Sequence, residues 1–144
     1  MTRMAPRRFD DPAVAAAFDA LPARQRHRLL AVRDLVFEIA AATPAIGPLA
    51  ESLKWGEPAY RPVRPRTGTT VRLGITPGAA DACAVLVNCK TSLLATFRDL
   101  YPDRFGFEGE RALILDLARP LPVEALSHCL SLALTYHARP PRAP

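Results

Sequence analysis

The fold this sequence predicts is α+β and two-layered, with a mainly antiparallel sheet of about four to five strands packed with helices. Three observations carry that prediction. Helical periodicity occupies both ends of the chain, and period-two alternation occupies the middle. The turn between the two clearest alternating segments is too short for anything but antiparallel pairing. A length of 144 residues with 49% hydrophobic content suits a single domain able to bury roughly two-thirds of its unfolded surface.

The first helix starts at Asp11, which can cap it, with Pro12 at the first helical position. Val14, Phe18 and Leu21 then recur at i, i+4 and i+7. Pro22 ends it and opens a second helix to about Thr43, with Leu29, Val32, Val36 and Ile39 on one face and Leu35 beside them. Arg24, Arg28 and Glu38 fall on its wetter sides. Pro44, Gly47 and Pro48 terminate it. A short strand follows at Leu53–Trp55, expected to stop at Pro58 because proline has no N–H to donate. Residues 61–68 read as an extended basic connector.

Residues 69–75 alternate, with Val71, Leu73 and Ile75 on one face and Thr70 and Arg72 on the other. After a turn at Thr76–Asp81, Cys83–Cys89 returns with Val85 and Val87 on the face of both cysteines, giving a hairpin. Thr91 or Ser92 caps a helix carrying Leu93, Leu94, Phe97, Leu100 and Tyr101, and Pro102 ends it. Leu113–Leu117 is apolar at nearly every position and reads as a central strand. Pro122 opens the last helix, whose apolar face spans Val123, Leu126, Leu130 and Leu134 and widens through Ala125, Cys129 and Leu132. A face that broad implies either a covering sheet or a homodimer through residues 122–138. Residues 1–8 are expected to form a disordered basic head, 9–138 the domain, and 139–144 a disordered tail rich in Pro and Arg.

Charge and cysteine content narrow the function classes. The net charge is +5, but 17 of the 19 basic residues are Arg, scattered without interleaved aromatics. Such scatter reads as solvated faces and argues against a nucleic-acid partner. No apolar run approaches the ~20 residues that span a bilayer, so no membrane role is expected. The basic N-terminus lacks the apolar core of a secretory signal, and Cys83, Cys89 and Cys129 show no paired spacing. A cytoplasmic protein with free thiols is the expectation.

The densest chemistry lies in residues 53–60, which hold the chain's one Trp and one of its two Lys. Trp55 is either core or the wall of a pocket. Lys54, Glu57, Tyr60 and Arg72 form a candidate charged rim for an anion or carboxylate. Cys89 precedes Lys90 and a helix start, and both a cation and a helix N-terminus favour a reactive thiolate. The proposed site therefore comprises Lys54, Trp55, Glu57, Tyr60, Arg72, Cys89, Lys90 and Arg98, the last on the helix that follows.

No residue is assigned a catalytic role, because no histidine is placeable as a base for Cys89 and no Ser-His-Asp arrangement stands out. No Gly-rich phosphate loop appears, so no cofactor is expected. A metal site is not expected either, since His128 and Cys129 point about 100° apart on a helix.

Leu53-Lys54-Trp55-Gly56-Glu57-Pro58-Ala59-Tyr60 resembles the signature of the YdhG-like family, a bacterial domain of unknown function. Arg72-Leu73-Gly74, Asn88-Cys89-Lys90-Thr91 with Phe97-Arg98, Phe107–Ala112 and Leu134–His137 follow in the order that family shows. The resemblance implies a two-layer α/β fold and no particular reaction. The reading that results is a non-catalytic module binding a small ligand or a protein partner. One family member is described as a frataxin-like iron chaperone, which makes intracellular iron chaperoning the first alternative. Iron would need a run of exposed carboxylates, and the acidic residues on offer are Asp10, Asp11 and Asp19, ahead of an arginine-rich helix. A thiol-dependent enzyme using Cys89 is the second alternative.

Overall fold

A computed structural model describes residues 8–63, 68–76 and 78–137. The expected tail, nearly all of the expected head, residues 64–67 of the connector and Pro77 lie outside them.

Asp11 caps α1 (Pro12–Asp19) through its side chain, which accepts from the Ala13 N–H at 2.8 Å. Val14 and Phe18 are the residues α1 buries. In α2 (Ala23–Ala42) the buried row is Leu29, Val32, Val36 and Ala40, joined by Gln25 and Arg33. The buried arginine was not expected on a helix whose other arginines face water.

Two strands stand where one was expected, β1 (Leu49–Lys54) and β2 (Glu57–Pro62). Trp55 and Gly56 make the two-residue turn between them, with φ of 56° and 79°. That pair of positive φ values matches the right-handed twist of the flanking strands. Pro58 does not end the strand, because of which way its missing N–H would point. Lys54↔Glu57, the pair flanking a two-residue turn, is hydrogen-bonded, so residues 58, 60 and 62 turn their backbone groups away from β1. Both Pro58 and Pro62 therefore leave the β1 ladder intact. On the other side, β2 pairs β3 only through Ala59↔Arg72 and Tyr60↔Val71, within the span the prolines bracket.

The expected hairpin is present as β3 (Val71–Gly74) and β4 (Ala82–Leu86), antiparallel in register Arg72↔Leu86. Then come α3 (Leu93–Leu100), β5 (Gly106–Glu108), β6 (Ala112–Asp116) and α4 (Val123–Leu134). The protein is thus α+β, and its described residues form a six-stranded, wholly antiparallel sheet in the order β1-β2-β3-β4-β6-β5. The strand count exceeds the expected four to five because the first strand is a hairpin and because three-residue β5 is too short to alternate legibly.

All four helices of the described residues feed one core on one face of the sheet. Tyr60, Val71, Leu73, Cys83, Val85, Leu113 and Leu115 supply the sheet's share of it. The broad apolar face of α4 is buried against α2, α3 and β3 of the same chain, which accounts for its width without a second subunit. Gly68 anchors the sheet to that helix. Its position leaves no room for a Cβ against the Leu134 backbone, and the next N–H, of Thr69, donates to the Ala133 carbonyl at 3.0 Å.

Candidate functional site

Residues facing each other across strands share a face. Lys54↔Glu57, Ala59↔Arg72, Arg72↔Leu86, Gly74↔Ala84 and Leu86↔Ala112 therefore define one continuous outer face. No helix among the described residues covers it. Over it lies an open hollow of about 1020 Å³, floored by Ala84, Leu86 and Ala112. The Trp55–Gly56 turn stands at one side, and the turn Gly109–Arg111 between β5 and β6 at the other.

Trp55 is 89% exposed and has positive φ, the one described non-glycine residue that does. A left-handed backbone costs an L-residue roughly 1–2 kcal/mol. Burying a large apolar side chain would return a further ~1.5–3 kcal/mol, which this ring forgoes. The structure thus excludes the core alternative for Trp55 and leaves the pocket wall.

Glu57, half-buried in the hollow, pairs with Arg72, whose Nη1 lies 3.2 Å from its Oε1. Its other carboxylate oxygen lies directly over Gly74, where a Cβ would collide with it. A side chain at that position would push the Glu57 carboxylate aside. Burial raises the Glu57 carboxyl above its ordinary pKa, and the nearby charges of Arg72 and Arg111 offset that only in part.

A smaller recess of about 220 Å³ shares Trp55, Arg72, Cys89 and Arg111 with the main hollow and adds Lys54, Thr70 and Asn88. Cys89 reaches both because β4 ends at Leu86 and the chain turns. Sequence alternation put Cys89 on the face of Cys83, and the structure corrects that: Cys83 is buried and Cys89 exposed. Burial pushes the Cys83 and Cys129 thiols up to about 12, which leaves them protonated and unreactive at neutral pH.

Of the residues the sequence singled out, Lys54, Trp55, Glu57, Arg72 and Cys89 converge on this region. Tyr60, Lys90 and Arg98 do not. Tyr60 lies on the opposite, helix-covered face, fully buried, with its hydroxyl donating to Glu51 Oε2 at 2.7 Å. Three positions separate it from Glu57, and an odd spacing on one strand reverses the face. Lys90 sits in an exposed turn, where its backbone N–H donates to Asn88 Oδ1 at 2.9 Å. Arg98, on α3, donates to the Gly109 carbonyl at 3.2 Å and stacks over Phe107 at 5.4 Å, bracing the β5–β6 turn.

Sequence reasoning missed Glu108, Glu110 and Arg111, which line the hollow from the end of β5 and the turn after it. Glu108-Gly109-Glu110-Arg111 was the available signal, a charged run around a glycine now seen at φ 59°.

Among the described residues no histidine lines either hollow, and His128 instead faces Tyr101, with Nδ1 2.6 Å from the phenolic oxygen. No group of three or more His, Cys, Asp or Glu residues is placed to hold a metal ion among them. No helix of the described residues is long and apolar enough to cross a membrane. No protein-family model matches this chain, and neither a curated protein nor a solved structure shows detectable similarity to it. The resemblance to the YdhG-like family therefore rests on the order of its motifs.

Proposed function

We propose that this protein is a non-catalytic binding module of the YdhG-like type that takes a small ligand on the open face of its sheet. The observation that carries the reading is Trp55, which gives up both backbone comfort and burial at the mouth of a hollow. Strain of this kind persists where the surroundings over-determine it, and it concentrates at ligand sites. The hollow matches the upper end of small-molecule sites, roughly 300–1,000 Å³. Its floor of small apolar side chains suits a flat body, and its rim of charged groups suits orientation by hydrogen bonds.

The geometry gives less support to the two alternatives. A thiol nucleophile needs a base within hydrogen-bond reach, and no histidine accompanies Cys89 in the hollow. An iron carrier needs clustered hard oxygen ligands, which the described residues do not assemble.

Trp55 is the chain's one tryptophan, so its emission reports on the site directly. Titration with a panel of small aromatic acids, amides and amines should shift or quench that emission for some members. Bound members should also raise the melting temperature, as any ligand specific to the folded state does. Trp55→Ala should keep the far-ultraviolet dichroism and lose that thermal shift. Panel members that perturb backbone amide resonances only away from the hollow would sink the reading.

A further inference from the structure

The smaller recess differs from the main hollow in the sign of its charges. Glu57, Glu108 and Glu110 line the main hollow together with Arg72 and Arg111. The recess is lined by Lys54, Arg72 and Arg111, and by no carboxylate. These cations come from three separate places: the end of β1, the middle of β3, and the β5–β6 turn. Only the fold brings them together, at an electrostatic cost that Glu57, paired with Arg72 and attracted by Arg111, offsets in part.

Their bonding state is equally uneven. Neither Lys54 nor Arg111 makes a side-chain hydrogen bond or ion pair among the described residues. Arg72 has a single carboxylate contact, through Nη1 to Glu57, and a guanidinium carries five donors. The other polar lining groups are donors too. Asn88 uses its Oδ1 to accept from the Lys90 N–H, which leaves its NH2 to give, and Thr70 offers a hydroxyl. Trp55 stands beside all of them, its ring in solvent.

We propose that this recess seats an oxyanion, carboxylate or phosphate, carried by a small ligand whose flat apolar part lies against Trp55. The proposal rests on the reading of the hollow as a ligand site and names the class of ligand. Arg111 supplies a planar fork matched to two oxygens of one anionic group, and Lys54 supplies a point charge opposite the turn. The acidic wall formed by Glu108 and Glu110 sets the limit of the site. It repels an extended polyanion such as a nucleic-acid strand and leaves room for one anionic group.

The test uses three probes on the whole chain: phenyl phosphate, benzoate, and benzamide as the uncharged counterpart of benzoate. Affinity is read from Trp55 emission and from backbone amide shifts at Lys54, Thr70, Asn88 and Arg111. Benzoate or phenyl phosphate should bind at least about tenfold tighter than benzamide, as expected where a charge-assisted hydrogen bond is gained. The tighter of the two anions assigns the headgroup. Arg111→Gln, in an exposed turn that carries no core packing, should weaken anion binding about tenfold and benzamide binding by less. Arg111→Lys should restore part of the loss. Benzamide binding as tightly as the anions, or Arg111→Gln without effect, overturns the oxyanion assignment while the hollow stands as a ligand site. If no probe perturbs Trp55 or those amides at millimolar concentration, both the assignment and the underlying reading fall.

Discussion

Two arginine–glutamate pairs flank the β1–β2 hairpin, one on each face of the sheet, and they are built in opposite ways. Arg33 grips both carboxylate oxygens of Glu51, through Nε and through Nη2, the latter at 3.0 Å. Nη2 also donates to the Arg8 carbonyl, and Tyr60 donates to the same Glu51. Phe9 lies 3.9 Å from the guanidinium and Phe37 5.2 Å. Burial opposes the charge on Arg33, yet Glu51 and Tyr60 together outweigh it and the guanidinium pKa is raised. The Arg72–Glu57 pair has one ion-pair contact, is less deeply buried, and has the unbonded cations Lys54 and Arg111 beside it. A closed, fully satisfied cluster pins α2 to the edge of the sheet and has nothing left to offer. An open pair with donors to spare is free to engage something else.

The sharpest way to break this contrast is to remove one partner from each pair. Arg33→Ala strands Glu51 and Tyr60 in a nearly closed site, and such a loss costs about 3–5 kcal/mol. Arg72→Ala removes a less buried contact made through one atom pair and should cost less, about 1–2 kcal/mol. Urea unfolding of the two variants measures both. Equal losses would mean that the two faces of the hairpin are not divided between architecture and binding.

A smaller effect of opposite sign is expected at the turn. Asn followed by Gly is a favoured pair for a two-residue hairpin with both φ values positive. Trp55→Asn should therefore stabilise the fold by about 1 kcal/mol, because it relieves the left-handed strain and removes a ring that buries almost nothing. In a thermal melt that is a gain of about 3 °C. A destabilised variant would show that the ring contributes to the fold, and would remove the main support for a site there.

The same division explains what was legible in the sequence. Burial imposes period two on a strand and 3.6 on a helix, so the inner face could be read directly. Val71 with Leu73, Cys83 with Val85, and the Leu29–Val36 row of α2 all sit where their spacing put them. The β1–β2 hairpin was opaque because Trp-Gly is no usual turn pair and two prolines read as breakers. Arg33 was opaque for a different reason: its partner lies 18 residues away on a strand, and nothing local separates it from the solvated arginines of α2. On the outer face, Lys54, Trp55 and Glu57 were visible as a dense local cluster. Arg111 and the two glutamates beside it reach the hollow through the β4–β6 ladder, a pairing that local patterning does not express. Tyr60 could have been placed correctly, by parity, once the hairpin was known.

Glu57 gives the subtlest test, since its folded-state pKa lies above the ordinary carboxylate value of 4.5. Burial is the larger cause, against the partial attraction of Arg72 and Arg111. A raised carboxyl holds its proton more tightly in the folded chain than in the unfolded one. Its contribution to stability is therefore fully present below pH 4.5 and is lost as pH rises through the folded value. Glu57→Gln, which keeps the shape and discards the charge, should be more stable than the parent protein at neutral pH. The two should converge as the pH falls towards 4.5, with urea midpoints followed across the range. A variant less stable at neutral pH would show that the ion pair with Arg72 outweighs the burial of the carboxylate. The outer pair would then belong with Arg33 and Glu51 as architecture, and the contrast between the two faces would narrow to the unbonded cations alone.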